Sequence, residues 1–304
     1  MKNKDFLSIA DVDSSELQRI LDSALQMKRG GSGQELAGKV LGMIFEKPSL
    51  RTRVSFEVGM YQLGGHAIYI SRDEIGLGKR EPISDAARVL SRYFDLLMAR
   101  TFSHSTVEAL AEHATVPVIN GLSDLEHPCQ AVGDMLTIYE KKGKLEGLTV
   151  GYIGDGNNVA ASLFLACALT GVEFRIASPK GYGIPDDILN LGSRLGAPDI
   201  MRSHSPEEVA GGADVIYTDV WVSMGQESQM EQRRKDFAGY QVTPGLLSRA
   251  KEDAILMHPM PVHHGEEFAP GLIDSPQSML IDQAENRLHA QKAIMAELMA
   301  EADW

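Results

Sequence analysis

The feature that most constrains the fold is a regular alternation of short apolar runs with segments of helical periodicity. Eight such runs, rich in Val, Ile, Leu and Tyr, predict buried strands. They lie at residues 39–45, 66–71, 95–100, 116–120, 148–154, 172–179, 214–220 and 254–260. Strands that are separated by helices form parallel sheets with both faces covered. The chain therefore belongs to the α/β class.

Helical periodicity fills the segments between these runs. The predicted helices lie near residues 51–63, 84–93, 105–113, 128–143, 158–170, 185–195, 205–211, 244–251 and 284–301. The pattern occurs once in each half of the chain, so we expect two doubly wound parallel-sheet domains of similar size, linked by helices. Ligands bind such sheets beyond the carboxyl ends of the strands. The motifs described below lie at or near such ends.

Composition excludes several function classes. The formal net charge of -13 argues against a nucleic-acid partner, which needs clustered Lys and Arg. No apolar stretch is long enough to span a membrane, and the amino-terminal residues lack the apolar region of a signal peptide. Only Cys129 and Cys167 occur, which suggests no disulfide framework and favours a reducing cytoplasm.

The sequence "SLRTR" follows the first predicted strand and opens a helix. Backbone N–H groups at a helix N-terminus attract anions, and the side chains of Ser49, Arg51, Thr52 and Arg53 add hydroxyls and guanidinium groups suited to phosphate. The pattern predicts a phosphate cradle built without the glycines of a P-loop. A capped helix start, with Ser49 as the N-cap and solvated arginines, is the structural alternative.

Three further polar side chains lie near predicted strand ends or helix starts. "HPCQ" opens the helix near 128, which directs His127 at whatever occupies that helix N-terminus, and Arg100 ends the strand 95–100. Arg287 lies at the start of the last predicted helix. A lone histidine is more often structural, but here it would share a pocket with arginines and could donate to a carbonyl oxygen.

Two loops in the second half carry groups suited to an amino acid. "GYIGDGNN" resembles a dinucleotide fingerprint, but Val159 stands where the third glycine would be, which disfavours NAD. Asn157 and Asn158 instead offer amides at a helix start. Asp219, in "DVWVSMG", could hold a substrate ammonium, although a strand-end aspartate also serves as a cap.

The segment "MHPMPVHHGEEF" follows the last predicted strand. Its prolines force an extended turn, in which the carbonyl groups of Pro259 and Met260 could face a ligand. Four potential metal ligands follow, at His263, His264, Glu266 and Glu267. They lack the H-E-x-x-H spacing, so we expect no metal and no other cofactor.

Taken together, these motifs resemble the aspartate/ornithine carbamoyltransferase family nearly end to end, and its ornithine branch most closely. "SLRTR" is similar to the carbamoyl-phosphate signature S-T-R-T-R, and "HPCQ" to the family's second signature. "DVWVSMG" resembles the ornithine-binding loop, and "DSPQSMLIDQAENRLHAQKAI" the carboxyl terminus of the ornithine branch. The resemblance implies transfer of a carbamoyl group from carbamoyl phosphate to L-ornithine, giving L-citrulline and phosphate in arginine metabolism.

The resemblance also implies the site residues. Carbamoyl phosphate would be bound by Ser49, Leu50, Arg51, Thr52, Arg100, His127, Gln130, Pro259, Met260 and Arg287. Thr52, Arg100 and His127 would be catalytic. Ornithine would be bound by Asn158, Asp219, Ser223 and Met224. A carbamoyl-phosphate-binding domain would span 1–133, completed by 285–304, and an ornithine-binding domain 134–284.

One departure from the family pattern keeps other amines open. The ornithine branch has H-C-L-P where this chain has "HPMP", so Pro259 replaces a thiol that faces the reacting amine. Carbonyl contacts survive this change because proline keeps its C=O. Putrescine, an acylated ornithine and aspartate are therefore alternative acceptors. A non-catalytic sensor of a phosphate ligand and a nucleotide-dependent dehydrogenase are alternatives from other classes.

Assembly is implied by the resemblance alone. It predicts a cytoplasmic homotrimer with active sites near subunit interfaces. Lys79 or Arg80, in the loop "LGKREPISD", would reach a neighbouring site. Gly225 is the expected flexible point of a closing "SMG" loop.

Overall fold

The computed structural model of the chain describes residues 4–31, 33–78, 80–197, 200–223 and 225–300. These residues form two compact units. The first contains the described residues up to Leu136 together with those from Asn286 onward, and the second runs from Thr137 to Glu285. The division falls inside two helices, so each of these helices contributes residues to both units.

The first unit contains a four-stranded parallel sheet with the strand order β2-β1-β3-β4. Its strands are β1 (Val40–Phe45), β2 (His66–Ser71), β3 (Leu96–Arg100) and β4 (Val118–Leu122). Its helices are α1 (Ser14–Gln26), α2 (Leu50–Gln62), α3 (Arg72–Ile75), α4 (Ile83–Leu90), α5 (His104–His113), the first part of α6 (Pro128–Lys142) and most of α12 (Leu280–Ala300). Short 3-10 and π-helical segments lie at Ile9–Asp11 and Met27–Gly31.

Packing at the centre of this sheet explains its sequence. Every residue of β3 is buried, in keeping with a strand covered on both faces. Gly42 in β1 lies against the ring of Phe94, where an added Cβ would come within 2.7 Å of a ring carbon. Only glycine fits there without a shift of the neighbouring aromatic ring.

The second unit contains a five-stranded parallel sheet with the strand order β7-β6-β5-β8-β9. Its strands are β5 (Thr149–Ile153), β6 (Glu173–Ala177), β7 (Met201–Ser203), β8 (Val215–Thr218) and β9 (Ile255–Met257). Its helices, besides parts of α6 and α12, are α7 (Asn158–Thr170), α8 (Asp186–Arg194), α9 (Pro206–Ala210), α10 (Met230–Asp236) and α11 (Pro244–Leu247). Two 3-10 segments lie at Glu227–Gln229 and Leu272–Asp274.

The carboxyl end of β5 is shaped by a close approach of two loops. A Cβ at Gly156 would lie 2.3 Å from the backbone of Gly183, and the Gly156 N–H donates to the carbonyl of Tyr182 at 2.7 Å. Glycine at 156 is therefore required by packing. This gives the "GDGNN" motif a structural reason that is independent of nucleotide binding.

The predicted α/β class with two parallel sheets is confirmed. All eight predicted strands occur, with ends that shift by at most three residues. The prediction lacked α1, α3, α10 and β7, and the last helix begins at Leu280 rather than near 284. In the part of the chain that the structure describes, no helix has the length and apolar character needed to cross a membrane.

Candidate active site

The start of α2 forms the predicted cradle. Ser49 is the N-cap, and its Oγ accepts a hydrogen bond from Thr52 N at 3.4 Å and lies 3.1 Å from Thr52 Oγ1. Thr52 is fully buried, whereas the side chain of Leu50 is 74% exposed. Leu50 can therefore serve an anion at this helix start only through its backbone N–H.

Arg287 joins this helix start to α6 by side-chain hydrogen bonds. Its Nη2 donates to Thr52 Oγ1 at 3.0 Å, and its Nη1 donates to Gln130 Oε1 at 2.9 Å. Gln130 in turn donates through Nε2 to Asp134 Oδ1 at 2.8 Å. All four side chains are buried, so residues that lie far apart in the sequence are held in one rigid polar network.

Arg100 and His127 bring further nitrogen donors to the same unit. Burial, followed by the charges of Arg287 and Arg51, lowers the pKa of Arg100 to about 9. Burial, Arg287 and Arg100 hold the pKa of His127 well below its ordinary value, so the imidazole is neutral at pH 7. Among the described residues, Arg100 Nε has no hydrogen-bond partner. The positive charges of Arg287 and Arg51 oppose that of Arg100, and a bound anion would relieve this repulsion.

Arg51 and Lys47 flank this group. The pKa of Arg51, which is half-buried, is lowered by burial. Lys47 lies over the ring of Phe102, with Nζ 4.6 Å from the ring centroid. Burial and then the charge of Arg100 lower the pKa of Lys47. The sequence analysis missed Lys47, although it stands two residues before the "SLRTR" segment.

The second unit holds the candidate amino-acid groups. Asn157 caps α7 with its Oδ1, which accepts from Val159 N and Ala160 N, and donates through Nδ2 to Asp219 Oδ2 at 2.8 Å. Asp219 is 6% exposed, and burial raises its pKa despite the hydrogen bond from Asn157. Asn158, the residue predicted to bind ornithine, is the half-buried first residue of α7. The contact to Asp219 is made by its neighbour Asn157.

A buried ion pair joins the two loops that carry these groups. Arg233 Nη1 donates to Asp155 Oδ2 at 2.7 Å and to the carbonyl of Trp221 at 2.9 Å. The guanidinium also lies 5.0 Å from the ring centroid of Tyr182. Arg233 therefore links the loop after β5 to the loop after β8. Sequence reasoning had no signal for this contact, because the partners are far apart along the chain.

Ser223 and Gln226, on either side of the "MG" dipeptide, contact each other. Ser223 N donates to Gln226 Oε1 at 3.1 Å, and Gln226 N donates to the carbonyl of Ser223 at 3.0 Å. Gly225 has a φ of +97°, which glycine adopts without strain. Ser223 is half-buried. Met224 lies outside the described residues.

The "HPMP" turn follows β9. Pro259 and Met260 are half-buried, and Met260 has a φ of +55°. The Met260 N–H donates to His258 Nδ1 at 2.9 Å. No part of this geometry requires a thiol at position 259.

Of the two loop residues predicted to act in trans, Lys79 lies outside the described residues, and Arg80 donates to the carbonyl of Glu74 at 3.0 Å.

Two groups that could suggest other chemistry are already engaged. His263, Glu266 and Glu267 place ligand atoms within 4.8 Å of one another, but Arg234 is ion-paired with Glu266 at 2.5 Å and Glu267 accepts two hydrogen bonds. One oxygen of Glu266 and Oε1 of Glu267 therefore already have protein partners. Burial raises the pKa of Cys129 to about 12, so its thiol is not a nucleophile at neutral pH.

Comparison with known proteins assigns both units to one family. The family model described as aspartate/ornithine carbamoyltransferase, carbamoyl-P binding domain, matches residues 4–140. The model described as aspartate/ornithine carbamoyltransferase, Asp/Orn binding domain, matches residues 146–298. The chain belongs to the aspartate/ornithine carbamoyltransferase family. Within the family, the "HPMP" turn and the cradle at α2 lie in different matched domains.

Individual carbamoyltransferases resemble the chain over nearly its full length. The ornithine carbamoyltransferase of Anoxybacillus flavithermus is 50% identical, with 98% of each chain covered. That of Thermococcus kodakarensis is 50% identical, with 98% of this chain and 97% of the relative covered. The solved structure of ornithine carbamoyltransferase from Pyrococcus furiosus has 48% identity and a TM-score of 0.93, and 98% of each chain is covered.

Proposed function

We propose that this chain transfers the carbamoyl group of carbamoyl phosphate to L-ornithine, giving L-citrulline and phosphate. The observation that carries the proposal is the buried cation group in the first unit. Burial and the charges of Arg287 and Arg51 lower the pKa of Arg100, burial lowers the pKa of Arg51, and a doubly charged phosphate would offset both effects. The names of the relatives support the same substrates.

In this proposal, the first unit binds carbamoyl phosphate. The phosphate lies at the N-terminus of α2, where Ser49, Leu50, Arg51 and Thr52 supply N–H, hydroxyl and guanidinium donors. The carbamoyl oxygen accepts from Thr52, Arg100 and His127, with Gln130 and Arg287 holding the surrounding network. Because His127 is neutral, it donates one N–H without adding a full charge. The carbonyls of Pro259 and Met260 accept from the carbamoyl NH2.

The second unit binds L-ornithine through Asn158, Asp219, Ser223 and Met224. Asp219 is the buried carboxylate that pairs with the substrate ammonium. This pairing would offset the burial that raises the pKa of Asp219. Asn158 offers an amide to the α-carboxylate of ornithine, a group that putrescine lacks, so an α-amino acid head group suits this site better.

The reaction needs no covalent intermediate. The neutral side-chain amine of ornithine attacks the carbamoyl carbon, a C–N bond forms, and the C–O bond to phosphate breaks. The departing phosphate takes the proton that the amine loses. Negative charge grows on the carbamoyl oxygen, where one well-placed donor is typically worth about 3–4 kcal/mol of barrier. Holding two small substrates together supplies much of the rest.

A ureido-product assay tests this function and its nearest alternative. Purified protein is given carbamoyl phosphate with L-ornithine, putrescine, N-acetyl-L-ornithine or L-aspartate, and product and phosphate are measured together. We expect ornithine to give the highest kcat/KM. A higher value with another amine would move the assignment to that amine. Binding of carbamoyl phosphate with no phosphate release on adding any amine would favour a sensor.

Pro259→Cys isolates the one departure from the motif of the ornithine branch. The variant keeps the carbonyl at position 259 and adds a thiol, but it also restores a backbone N–H and frees φ, so Pro259→Ala is the control for the backbone changes. If the thiol orients the amine, the variant gains kcat with ornithine. An unchanged kcat means that the turn performs its role through backbone atoms alone.

We further propose that the protein is a cytoplasmic homotrimer. Support comes from an apolar stripe on α2, formed by Leu50, Val54, Val58 and Tyr61, whose exposed fractions run from 36% to 80%. The i, i+4, i+8, i+11 spacing puts these side chains on one helix face. Light scattering on the eluted protein should give three times the mass of 33.2 kDa, and Val58→Glu should lower it. A monomeric wild-type protein would contradict the proposal.

A further inference from the structure

The turn after β9 has a backbone conformation that its own sequence disfavours. Met260 has a φ of +55°, and in the part of the chain that the structure describes it is the one residue other than glycine with positive φ. A side chain with a Cβ is sterically crowded in this region. Such a conformation persists only where neighbouring groups hold it.

The ring of His258 accepts a hydrogen bond from the Met260 peptide. Met260 N donates to His258 Nδ1 at 2.9 Å, and the ring is fully buried with its edge against Phe268, at 6.0 Å between centroids. His258 N donates to Gln283 Oε1 at 2.8 Å, which fixes the start of the turn. Because Nδ1 accepts a hydrogen bond, the proton of the neutral ring is on Nε2.

Glu267 fixes that tautomer. Its Oε1 lies 3.2 Å from His258 Nε2 and accepts from His263 N at 2.7 Å, so one carboxylate oxygen holds both ends of the 258–263 turn. Glu267 is fully buried. Burial alone would raise its pKa, but the hydrogen bonds from His258 and His263 outweigh burial and hold the pKa below its ordinary value.

We propose that His258 and Glu267 are positioning residues for carbamoyl transfer, which set the direction of the Met260 peptide and of the carbonyls in the "HPMP" turn. The inference rests on the proposed function, since those carbonyls matter only if they meet the carbamoyl NH2. Both side chains are fully buried, and they hydrogen-bond to each other and to backbone N–H groups of the turn. Asp219 also interacts electrostatically with both His258 and Glu267.

Two substitutions at His258 remove its two hydrogen bonds one at a time, the one to Met260 N and the one to Glu267. In His258→Asn, the amide oxygen takes the place of Nδ1 and still accepts from Met260 N, but the side chain no longer reaches Glu267. In His258→Gln, the amide nitrogen takes the place of Nε2 and still reaches Glu267, but the acceptor for Met260 N is lost. We expect kcat with ornithine to fall about tenfold more in His258→Gln than in His258→Asn, a fold-change worth ~1.4 kcal/mol.

Glu267→Gln is the near-isosteric test, and Asp214→Asn is its matched control. Asp214 is also a buried carboxylate of the second unit, and it accepts a hydrogen bond from Thr149 N at 2.9 Å. It lies before the first residue of β8, at the amino end of the sheet, whereas the "HPMP" turn follows the carboxyl end of β9. We expect Glu267→Gln to lower kcat about tenfold. Its carbamoyl-phosphate affinity, read from the rise in melting temperature on adding that ligand, should fall as well, because the carbonyls of Pro259 and Met260 are the proposed acceptors of the carbamoyl NH2. Asp214→Asn should lower the melting temperature and leave kcat unchanged.

The outcomes separate this inference from the proposed function. A wild-type protein that makes no citrulline refutes the function and with it the inference. A wild-type protein that makes citrulline, with kcat kept within twofold in both His258→Gln and Glu267→Gln, refutes the inference alone. Failure of Glu267→Gln to fold also counts against it, because the pair would then be needed for the fold. If His258→Gln alone fails to fold, Glu267→Gln decides.

Discussion

The two candidate sites of this protein differ in how their charged groups are compensated. In the first unit, Arg51, Arg100 and Arg287 lie close enough to oppose one another, and Arg100 Nε has no partner among the described residues. In the second unit, charged groups are already paired, as in Arg233 with Asp155 at 2.7 Å. The first site therefore brings like charges together, whereas the second pairs opposite charges.

This difference in charge pairing predicts different relations between ligand binding and protein stability in the two sites. A site of opposed cations stores unfavourable electrostatic energy that a phosphate releases on binding, so ligand affinity and stability of the ligand-free protein work against each other. A site of paired charges has its geometry before the ligand arrives. Removal of a cation from the first site should therefore reduce activity without reducing stability, and substitutions in the second site should mainly reduce the affinity for ornithine.

The largest expected effect is that of Arg100→Met. The variant loses a donor to the growing negative charge, so kcat/KM for citrulline formation should fall by about 10³-fold. It also removes a buried cation that Arg287 and Arg51 oppose, so the melting temperature without ligand should stay the same or rise. Steady-state kinetics and thermal melts on one preparation measure both quantities.

Arg88→Met is the control for that variant. Arg88 lies on α4 with a side chain 65% exposed and a weak contact to Asp85 at 3.7 Å, so neither activity nor stability should change appreciably. Near-normal citrulline formation by Arg100→Met would remove Arg100 from the site. A sharp drop in its melting temperature would show that the cations do not oppose one another.

Asp219→Asn should produce the next largest effect, in the second unit. The variant loses the charge proposed to pair with the ornithine ammonium, which should raise the KM for ornithine by about 10–100-fold, as for a lost hydrogen bond to a charged group. Carbamoyl-phosphate binding should not change. Isothermal titration with each substrate separates the two affinities. Equal loss of both affinities would contradict a division of the substrates between the units.

The sequence predicts the sheets well because buried parallel strands are continuous apolar runs, as in the fully buried β3. It misses β7 because this strand is short and two of its three residues are exposed, so it has no apolar run. The helix α1 has a usable signal that was overlooked. Asp13 and Glu16 form a capping box at its start.

The candidate site is predictable only as a set of residues. Motifs identify Thr52 and Arg287 separately, but their hydrogen bond joins positions 235 residues apart, which only the folded chain brings together. Arg233 carries no motif at all, since a basic residue in a polar helix is usually solvated. Its two hydrogen-bond partners give it a role that no local pattern could reveal.

Arg233→Lys tests whether the paired charges of the second unit position the ornithine loop. A lysine ammonium has no planar fork and cannot span Asp155 Oδ2 and the carbonyl of Trp221 in the same way. We expect the KM for ornithine to rise about tenfold with kcat nearly unchanged, because the loop moves while the reacting groups remain. Arg234→Lys is the control, since the Arg234 side chain is 50% exposed and pairs with Glu266. Equal effects in the two variants would show that Arg233 has no special role.

The smallest expected effect is on the pH dependence of stability, and it has opposite signs in the two sites. Burial, Arg287 and Arg100 hold the pKa of His127 well below 6.5, so below about pH 6.5 the unfolded chain takes up a proton that the folded chain refuses. Acidification from pH 7 to about 5.5 should therefore cost the wild-type protein ~1 kcal/mol relative to His127→Gln. Burial raises the pKa of Asp219 above 3.8, so acidification toward that value favours its folded state.

Urea melts of His127→Gln, Asp219→Asn and wild-type protein between pH 5 and 7 measure both contributions. The stability of wild-type protein relative to His127→Gln should decrease as the pH falls, because only the wild type has a buried imidazole that must stay neutral among arginines. Its stability relative to Asp219→Asn should stay level or increase over the same interval. If both relative stabilities changed with pH in the same direction, His127 would not be held neutral by the cations of the first unit. The two sites would then differ only in their hydrogen bonds.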